Sequence, residues 1–302
     1  MNAEDFDFLR EFVRVRSGIV IGPDKQYLVE SRLGPIARKT SGGSIAALVG
    51  EIRASGGARF GEEVVDAMTT NESFFFRDKI PFENFTEVML PALLAARASV
   101  RRLRIWSAAA STGQECYSLA MLLKERAAQV AGWQIDILGT DLSREVLDRA
   151  RSGVYTQFEV QRGLAIQMLL KYFSQNGDQW IIAPEIRKMV EFKRFNLIDR
   201  FTSLGNFDVV FCRNVLIYFD HPTKVDILER IAALMPDDGY LVLGAAETVV
   251  GLTDAFRPVP ERRGLYMRVP GHAAAKPKIP APVTAGFAAT PPLAPAGAFR
   301  RV

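Results

Sequence analysis

The residues that most clearly suggest a ligand site lie in the segment 103–123, which has the pattern of an apolar strand, a turn of small residues and an amphipathic helix. This order is typical of the nucleotide site of a doubly wound sheet, where the backbone approaches a ligand closely. The turn at Gly113 lacks the three glycines of a dinucleotide fingerprint, and it is followed by Glu115, where a pyrophosphate would need free N–H groups. A carboxylate at this place favours a positively charged ligand such as S-adenosylmethionine, which has a sulfonium and an ammonium group.

Asp141 ends the second predicted strand. An acidic side chain at that position commonly accepts hydrogen bonds from both hydroxyls of a ribose. The alternative role is the N-cap of the helix that begins after it. Because Ser143 can provide that cap instead, we favour the ribose for Asp141.

Residues 69–77 combine three consecutive phenylalanines with Asn71, Ser73 and Arg77. These polar side chains can bind the carboxylate of the methionine part of the cofactor. The alternative is a hydrophobic hinge with a capping asparagine, and the phenylalanines belong to the core under either interpretation.

Residues 211–220 leave the fourth predicted strand at its carboxyl end, where open α/β sheets bind ligands. Arg213 and Asn214 are expected at the floor of the crevice, with Tyr218 one helical turn further on. Arg213 and Tyr218 can receive an anionic acceptor and are our candidate catalytic residues; otherwise Arg213 pairs with a neighbouring acid and Tyr218 packs. After the third strand, Asn196-Leu197 either frames an adenine edge or forms a turn.

These segments require particular elements to position them. Residues 1–78 are predicted to form a small helical domain, in which Phe8, Phe12 and Val15 share one face of the first helix. Residues 79–268 alternate strands and helices, which predicts a doubly wound, mostly parallel sheet. The predicted strands are 103–107, 135–140, 190–195, 207–212 and 240–243, and the predicted helices between them are 115–130, 143–151 and 222–235.

Two segments depart from this alternation. Residues 153–190 have the pattern of an inserted β-hairpin subdomain, with a helix at 164–172, a turn at 176–178 and strand-like runs at 180–182 and 186–190. Residues 269–302 are rich in proline and alanine, and this composition predicts a disordered tail.

The bulk composition excludes several classes of protein. The net charge of +4 is too small to indicate nucleic-acid binding, and no apolar run is long enough to cross a bilayer. Two cysteines and two histidines predict neither a disulfide framework nor a metal site. The sequence therefore favours a reduced cytoplasmic protein without metal.

Four motifs together make the chain similar to the CheR-type chemotaxis receptor methyltransferases. They are residues 69–77 (TTNESFFFR), 106–115 (WSAAASTGQE), 139–143 (GTDLS) and 207–220 (FDVVFCRNVLIYFD). The resemblance spans about residues 5–268 and includes the helical N-terminal domain. Ser73 replaces the family's usual threonine but keeps the hydroxyl.

The resemblance implies S-adenosylmethionine as cofactor and a Rossmann-like methyltransferase fold. It implies cofactor contacts at Asn71, Ser73, Arg77, Glu115, Asp141, Asn196, Leu197, Arg213 and Asn214, with Tyr218 on the acceptor side. The implied reaction is methyl transfer to glutamates in the cytoplasmic domain of a methyl-accepting chemoreceptor, by a cytoplasmic enzyme that we expect to be a monomer. The alternatives are a catalytically silent S-adenosylmethionine-binding adaptor and a methyltransferase for another protein of a chemotaxis-like pathway.

Overall fold

The computed structural model describes residues 1–40 and 42–272. The predicted disordered tail, 269–302, therefore lies outside the described residues from 273 onward. In the described part of the chain, no helix is both long and apolar enough to cross a membrane.

The N-terminal domain consists of α1 (Ala3–Ser17), α2 (Gln26–Ala37), α3 (Ile45–Ser55) and α4 (Gly61–Met68). Ser44 caps α3 as predicted, since its side chain accepts the Ala47 N–H. Phe8 and Phe12 share one face of α1 as predicted and pack, partly buried, against the core of the domain, but Val15 is 44% exposed and the fully buried positions are Leu9 and Val13. The helix contacts α3 and α4 through a stripe one position away from the predicted one.

A second helical segment connects this domain to the sheet. It comprises α5 (Ile80–Asn84), a π-helical turn (Phe85–Met89) and α6 (Leu90–Ala96). Phe82 and Phe85 from this segment pack on Phe211 in the sheet, so the segment covers one of the sheet's faces.

The central sheet contains five parallel strands: β1 (Arg102–Ser107), β2 (Gln134–Asp141), β6 (Val190–Arg194), β7 (Val209–Cys212) and β8 (Tyr240–Leu243). Two antiparallel strands, β9 (Phe256–Pro258) and β10 (Leu265–Arg268), complete the order β6-β2-β1-β7-β8-β10-β9. The order reverses beside β1, so a crevice opens at the carboxyl ends of β1, β2 and β7. The doubly wound, mostly parallel fold class is thereby confirmed.

Helices α7 (Gln114–Glu125), α8 (Arg144–Ser152) and α12 (His221–Ala233) connect the parallel strands, close to the predicted positions. Buried clusters lie on both faces of the sheet. On one face the indole of Trp106 is fully buried and donates a 2.9 Å hydrogen bond to Thr140 Oγ1. The other face packs very closely at Gly139, where a Cβ would meet the Phe192 ring at 2.7 Å.

The insertion after α8 contains β3 (Val154–Thr156), α9 (Gln157–Gln161), α10 (Ile166–Tyr172), β4 (Phe173–Asn176), β5 (Gln179–Ile182) and α11 (Pro184–Arg187). The insertion contains a β-hairpin as predicted, but its strands are β4 and β5, on either side of the turn at 176–178, and the strand at β4 was not predicted. Strand β3 adds a third antiparallel strand. The predicted strand at 186–190 is wrong. Pro184 stands in the first turn of α11, where its fixed φ and missing N–H favour a helix, and Val190 begins the central strand β6.

Candidate functional site

One cleft, with a cavity volume of about 100 Å³, lies at the carboxyl edge of the sheet, between the sheet and the N-terminal domain. All ten residues predicted for the site line it: Asn71, Ser73, Arg77, Glu115, Asp141, Asn196, Leu197, Arg213, Asn214 and Tyr218. The N-terminal domain adds Ser17, the last residue of α1, and Ile19, from the loop between α1 and α2. The structure thus brings together residues that the sequence separates by more than a hundred positions; their individual roles in ligand binding stay predictions.

The turn after β1 is held by Asp141, from the end of the neighbouring strand β2. Ser111 has a left-handed backbone (φ +49°), and its N–H donates to Asp141 Oδ2 at 2.8 Å. Asp141 Oδ1 accepts the Ser143 N–H at 3.0 Å. Burial is the main cause that raises the pKa of Asp141 above its ordinary value, and its hydrogen bonds to backbone N–H groups oppose that shift. Ser143 stands at the N-cap position of α8 as predicted, although its side chain makes no capping hydrogen bond, and Asp141 accepts its N–H while also lining the cleft.

Glu115 and Arg213 form a buried ion pair at the centre of the cleft. Arg213 Nη1 donates to Glu115 Oε2 at 2.7 Å, and Ser107 Oγ donates to Glu115 Oε1 at 2.8 Å. Arg213 Nη2 donates to Asp78 Oδ2 at 2.7 Å and to the Arg77 carbonyl at 2.9 Å. The alternative in which Arg213 pairs with neighbouring acids is therefore the arrangement observed.

The Arg213 side chain is only 2% exposed, and its Nε–H is a buried donor without a partner in the described part of the chain. A cation between two carboxylates leaves this group of three side chains with a net negative charge. Such a site can accept an ammonium group beside Glu115, and the free Nε–H can donate to a ligand acceptor.

Residues 69–77 form the wall of the cleft that faces the N-terminal domain. The Asn71 carbonyl accepts the Ser111 hydroxyl at 2.8 Å, which joins this wall to the turn after β1. Arg77 lies over the Phe74 ring and donates to the Glu72 carbonyl. Of the three phenylalanines predicted for the core, Phe75 is fully buried and Phe76 packs against the core partly buried, but the prediction is wrong for Phe74, which lines the cleft.

Asn196 and Leu197 follow strand β6. The Asn196 side chain accepts the Ile198 N–H and donates to the Arg16 carbonyl at 2.7 Å, so it also acts as a turn residue that contacts the N-terminal domain. Leu197 is 6% exposed and presents an apolar surface to the cleft.

The segment after β7 carries the predicted acceptor side. Asn214 has φ +56°, and a short 3-10 turn (Leu216–Tyr218) follows it in place of the predicted helical turn. Tyr218 is half-buried, and its hydroxyl has no hydrogen-bond partner within residues 1–40 and 42–272. The hydroxyl is therefore available to a ligand.

Three contributors to the site were not predicted from the sequence. Asp78 accepts a hydrogen bond from Arg213, and the Ser111 hydroxyl donates to the Asn71 carbonyl. The Glu247 carboxylate accepts the N–H of Asn214, in the segment after β7. The position of Ser111 inside the small-residue turn is a usable signal, since side chains in such a turn must lie near the ligand. No local sequence pattern predicts a role in the site for Asp78 or Glu247, because their partners there are distant in sequence.

Comparisons with known proteins define the class. The description "CheR methyltransferase, SAM binding domain" matches residues 71–265, and "CheR methyltransferase, all-alpha domain" matches residues 4–69. The chain therefore belongs to the CheR methyltransferase family, a class of S-adenosylmethionine-dependent methyltransferases, and the predicted family and cofactor are confirmed.

Individual relatives agree with this assignment. Chemotaxis protein methyltransferase 1 of Pseudomonas aeruginosa is 45% identical over 87% of this chain and 97% of its own length. Chemotaxis protein methyltransferase Cher2 of Pseudomonas putida is 43% identical over 84% of this chain and 94% of its own. A chemotaxis protein methyltransferase of Vibrio parahaemolyticus is 38% identical over 87% and 95%.

Proposed function

We propose that this chain transfers a methyl group from S-adenosylmethionine to glutamate side chains in the cytoplasmic domain of chemoreceptors, acting as a monomer in the cytoplasm. The observation that carries the proposal is the cleft itself. Its lining includes two carboxylates, Glu115 and Asp141, two basic residues, Arg77 and Arg213, and Tyr218. The relatives' names, which specify chemotaxis, support the choice of receptor.

The charges of the cleft suit this cofactor. Asp141 is positioned to accept the ribose hydroxyls, and Glu115 to accept the ammonium group through the lone pairs that Ser107 and Arg213 leave free. Arg77, with the Asn71 and Ser73 side chains, is positioned to bind the cofactor's carboxylate. The ammonium and carboxylate groups of the cofactor thus each have a side chain of opposite charge in the cleft.

The reaction needs no general base, because a glutamate carboxylate is ionised and nucleophilic at neutral pH. The cofactor supplies an electrophilic methyl group, whose bond to sulfur breaks while the bond to the glutamate oxygen forms, leaving S-adenosylhomocysteine and a methyl ester. The protein has to align the two groups and exclude water. Tyr218 is positioned to orient the acceptor carboxylate by a hydrogen bond, and Arg213 to supply a buried positive charge next to it.

The decisive experiment uses the full chain, S-adenosylmethionine with a tritiated methyl group, and a purified chemoreceptor cytoplasmic fragment. We expect label on the fragment that is released as methanol by mild base, and no label on a fragment whose candidate glutamates are replaced by alanine. Binding of S-adenosylhomocysteine and of the receptor without transfer would instead identify a silent adaptor. Transfer to other proteins but not to receptors would identify a different chemotaxis substrate.

A further inference from the structure

Glu247 is a buried carboxylate that lies under the acceptor side of the cleft, 9% exposed. Within the part of the chain that the structure describes, its polar contacts are all with backbone N–H groups. Oε2 accepts the N–H groups of Asn214 and Gly244, both at 2.7 Å. Oε1 accepts those of Val215 at 2.9 Å and Leu216 at 2.8 Å. One side chain thus binds three consecutive residues of the segment that leads to Tyr218.

Burial of the Glu247 carboxylate costs free energy unless all four of its hydrogen bonds form. A buried charge without a counterion is destabilising, and it is tolerated here because four charge-assisted hydrogen bonds replace its hydration. Three successive N–H groups that converge on one anion also fix the backbone dihedral angles between them. The left-handed backbone of Asn214, unfavourable for a residue with a Cβ, persists under this constraint.

Gly244 shows independently how closely the two segments approach. A Cβ on Gly244 would lie 2.7 Å from Asn214 Nδ2, 2.7 Å from Glu247 Oε2 and 2.9 Å from Asn214 N. The space between Gly244 and Asn214 is therefore filled, and a side chain at position 244 would displace Asn214 or the Glu247 carboxylate.

We propose that Glu247 is a positioning residue for the acceptor side of the cleft. It fixes Asn214 to Leu216 and thereby the 3-10 turn that presents Tyr218. Arg213 is anchored separately, by Glu115 and by Asp78, and among the predicted cofactor contacts Glu247 holds Asn214 alone, so cofactor binding depends less on Glu247 than the position of Tyr218 does. The inference rests on the proposed function, because it assigns Tyr218 to the acceptor.

The test replaces Glu247 by glutamine. The amide keeps one accepting oxygen, so one pair of N–H groups faces an NH2 group and must move away. We expect kcat/KM for the receptor fragment to fall about 10- to 100-fold, the scale reported for displacements of about 1 Å at a reacting group. The Kd of S-adenosylhomocysteine, measured by calorimetry, should change at least tenfold less than kcat/KM. Hydrogen exchange in a peptide spanning residues 213–219 should accelerate.

Glu159→Gln is the matched control. Glu159 also accepts a backbone N–H, that of Thr156, but in the insertion and outside the cleft. We expect Glu159→Gln to leave kcat/KM and exchange of residues 213–219 unchanged, even where it lowers the melting temperature.

Several outcomes would overturn the inference. Receptor kinetics within twofold of the unmodified protein would show that the segment's position does not govern transfer. An equal loss in kcat/KM and in S-adenosylhomocysteine affinity would show a general disturbance of the cleft. If Glu247→Gln does not fold, Gly244→Ala retains the carboxylate but crowds both it and Asn214, and it should give the same selective loss. If the unmodified protein transfers no methyl group to receptors, the proposed function fails, and the exchange measurement alone decides whether Glu247 holds the segment.

Discussion

Replacing Asp141 by asparagine removes a charge from the cleft and keeps the size of the side chain. Each carboxylate oxygen already accepts one backbone N–H, from Ser111 and from Ser143, and a second lone pair on each remains for a ribose hydroxyl. Asparagine provides one accepting oxygen and directs an NH2 group toward one of these N–H groups. Loss of a hydrogen bond to a charged group costs about 1.5–3 kcal/mol. We therefore expect the Kd of S-adenosylhomocysteine to rise about 10- to 150-fold.

Calorimetric titration of S-adenosylhomocysteine measures this change directly. Asp136→Asn is the matched control, because Asp136 lies on the same strand, β2, but near its other end, in an exposed ion pair with Arg102. The control should bind with unchanged affinity. Circular dichroism melting of both variants establishes that they are folded at the titration temperature. If folded Asp141→Asn binds within twofold of the unmodified protein, the ribose assignment is wrong, and Asp141 serves only to hold Ser111 and Ser143.

Three further predictions follow from burial and packing. Because burial raises the pKa of Asp141 above about 3.9, the affinity for S-adenosylhomocysteine should fall as pH decreases through that raised pKa, and Asp141→Asn should flatten this part of a calorimetric pH series. Without ligand, the folded state holds the Asp141 proton more tightly than the unfolded state does. The contribution of Asp141 to the unfolding free energy should therefore increase as pH falls through the same window. Gly139→Ala should lower the unfolding free energy measured in urea by about 1–3 kcal/mol through overpacking. Gly50 lies in α3 with open space where a Cβ would stand, so Gly50→Ala should raise the unfolding free energy by about 0.5–1 kcal/mol. Equal effects of the two substitutions would contradict the packing argument. Cys116 and Cys212 are fully buried, and burial raises the pKa of both thiols. A thiol reagent at pH 8 should therefore label neither residue until urea unfolds the protein. Rapid labelling of the native protein would contradict this.

The extent to which the sequence predicted this site depends on how far apart the interacting groups lie. Asp141 and Arg213 follow strands directly, and parallel strands end at the same edge of a sheet, so their convergence could be derived from the element order. Glu247 accepts N–H groups from residues 31 to 33 positions earlier, and its own surroundings carry no pattern that indicates this. Such a contact depends on the packing of two loops, which hydrophobic periodicity does not encode.

The errors in the fold have equally local causes. Helix α1 has apolar residues on two neighbouring stripes, one with Phe8 and Phe12 and one with Leu9 and Val13. Periodicity alone cannot choose between the stripes, and packing against α3 and α4 selects the second. At 186–190 a short apolar run was predicted as a strand, but Pro184 starts a helical turn there. Short apolar runs are ambiguous in this way because strands and buried helical turns share their composition.

The two candidate catalytic residues, Arg213 and Tyr218, differ in their hydrogen-bonding surroundings. Both terminal nitrogens of Arg213 are engaged, with Glu115, Asp78 and the Arg77 carbonyl, and only its buried Nε–H remains unused in the described residues. Removing Arg213 would leave buried carboxylate charge uncompensated, and a loss of activity would then report on the whole cleft. Tyr218 has a hydroxyl without such partners, so Tyr218→Phe would remove one hydrogen-bonding group and leave the ion pairs in place. Tyr218→Phe is therefore the cleaner test of a direct contact with the acceptor carboxylate, because its effect on transfer is not mixed with the loss of the Arg213 ion pairs.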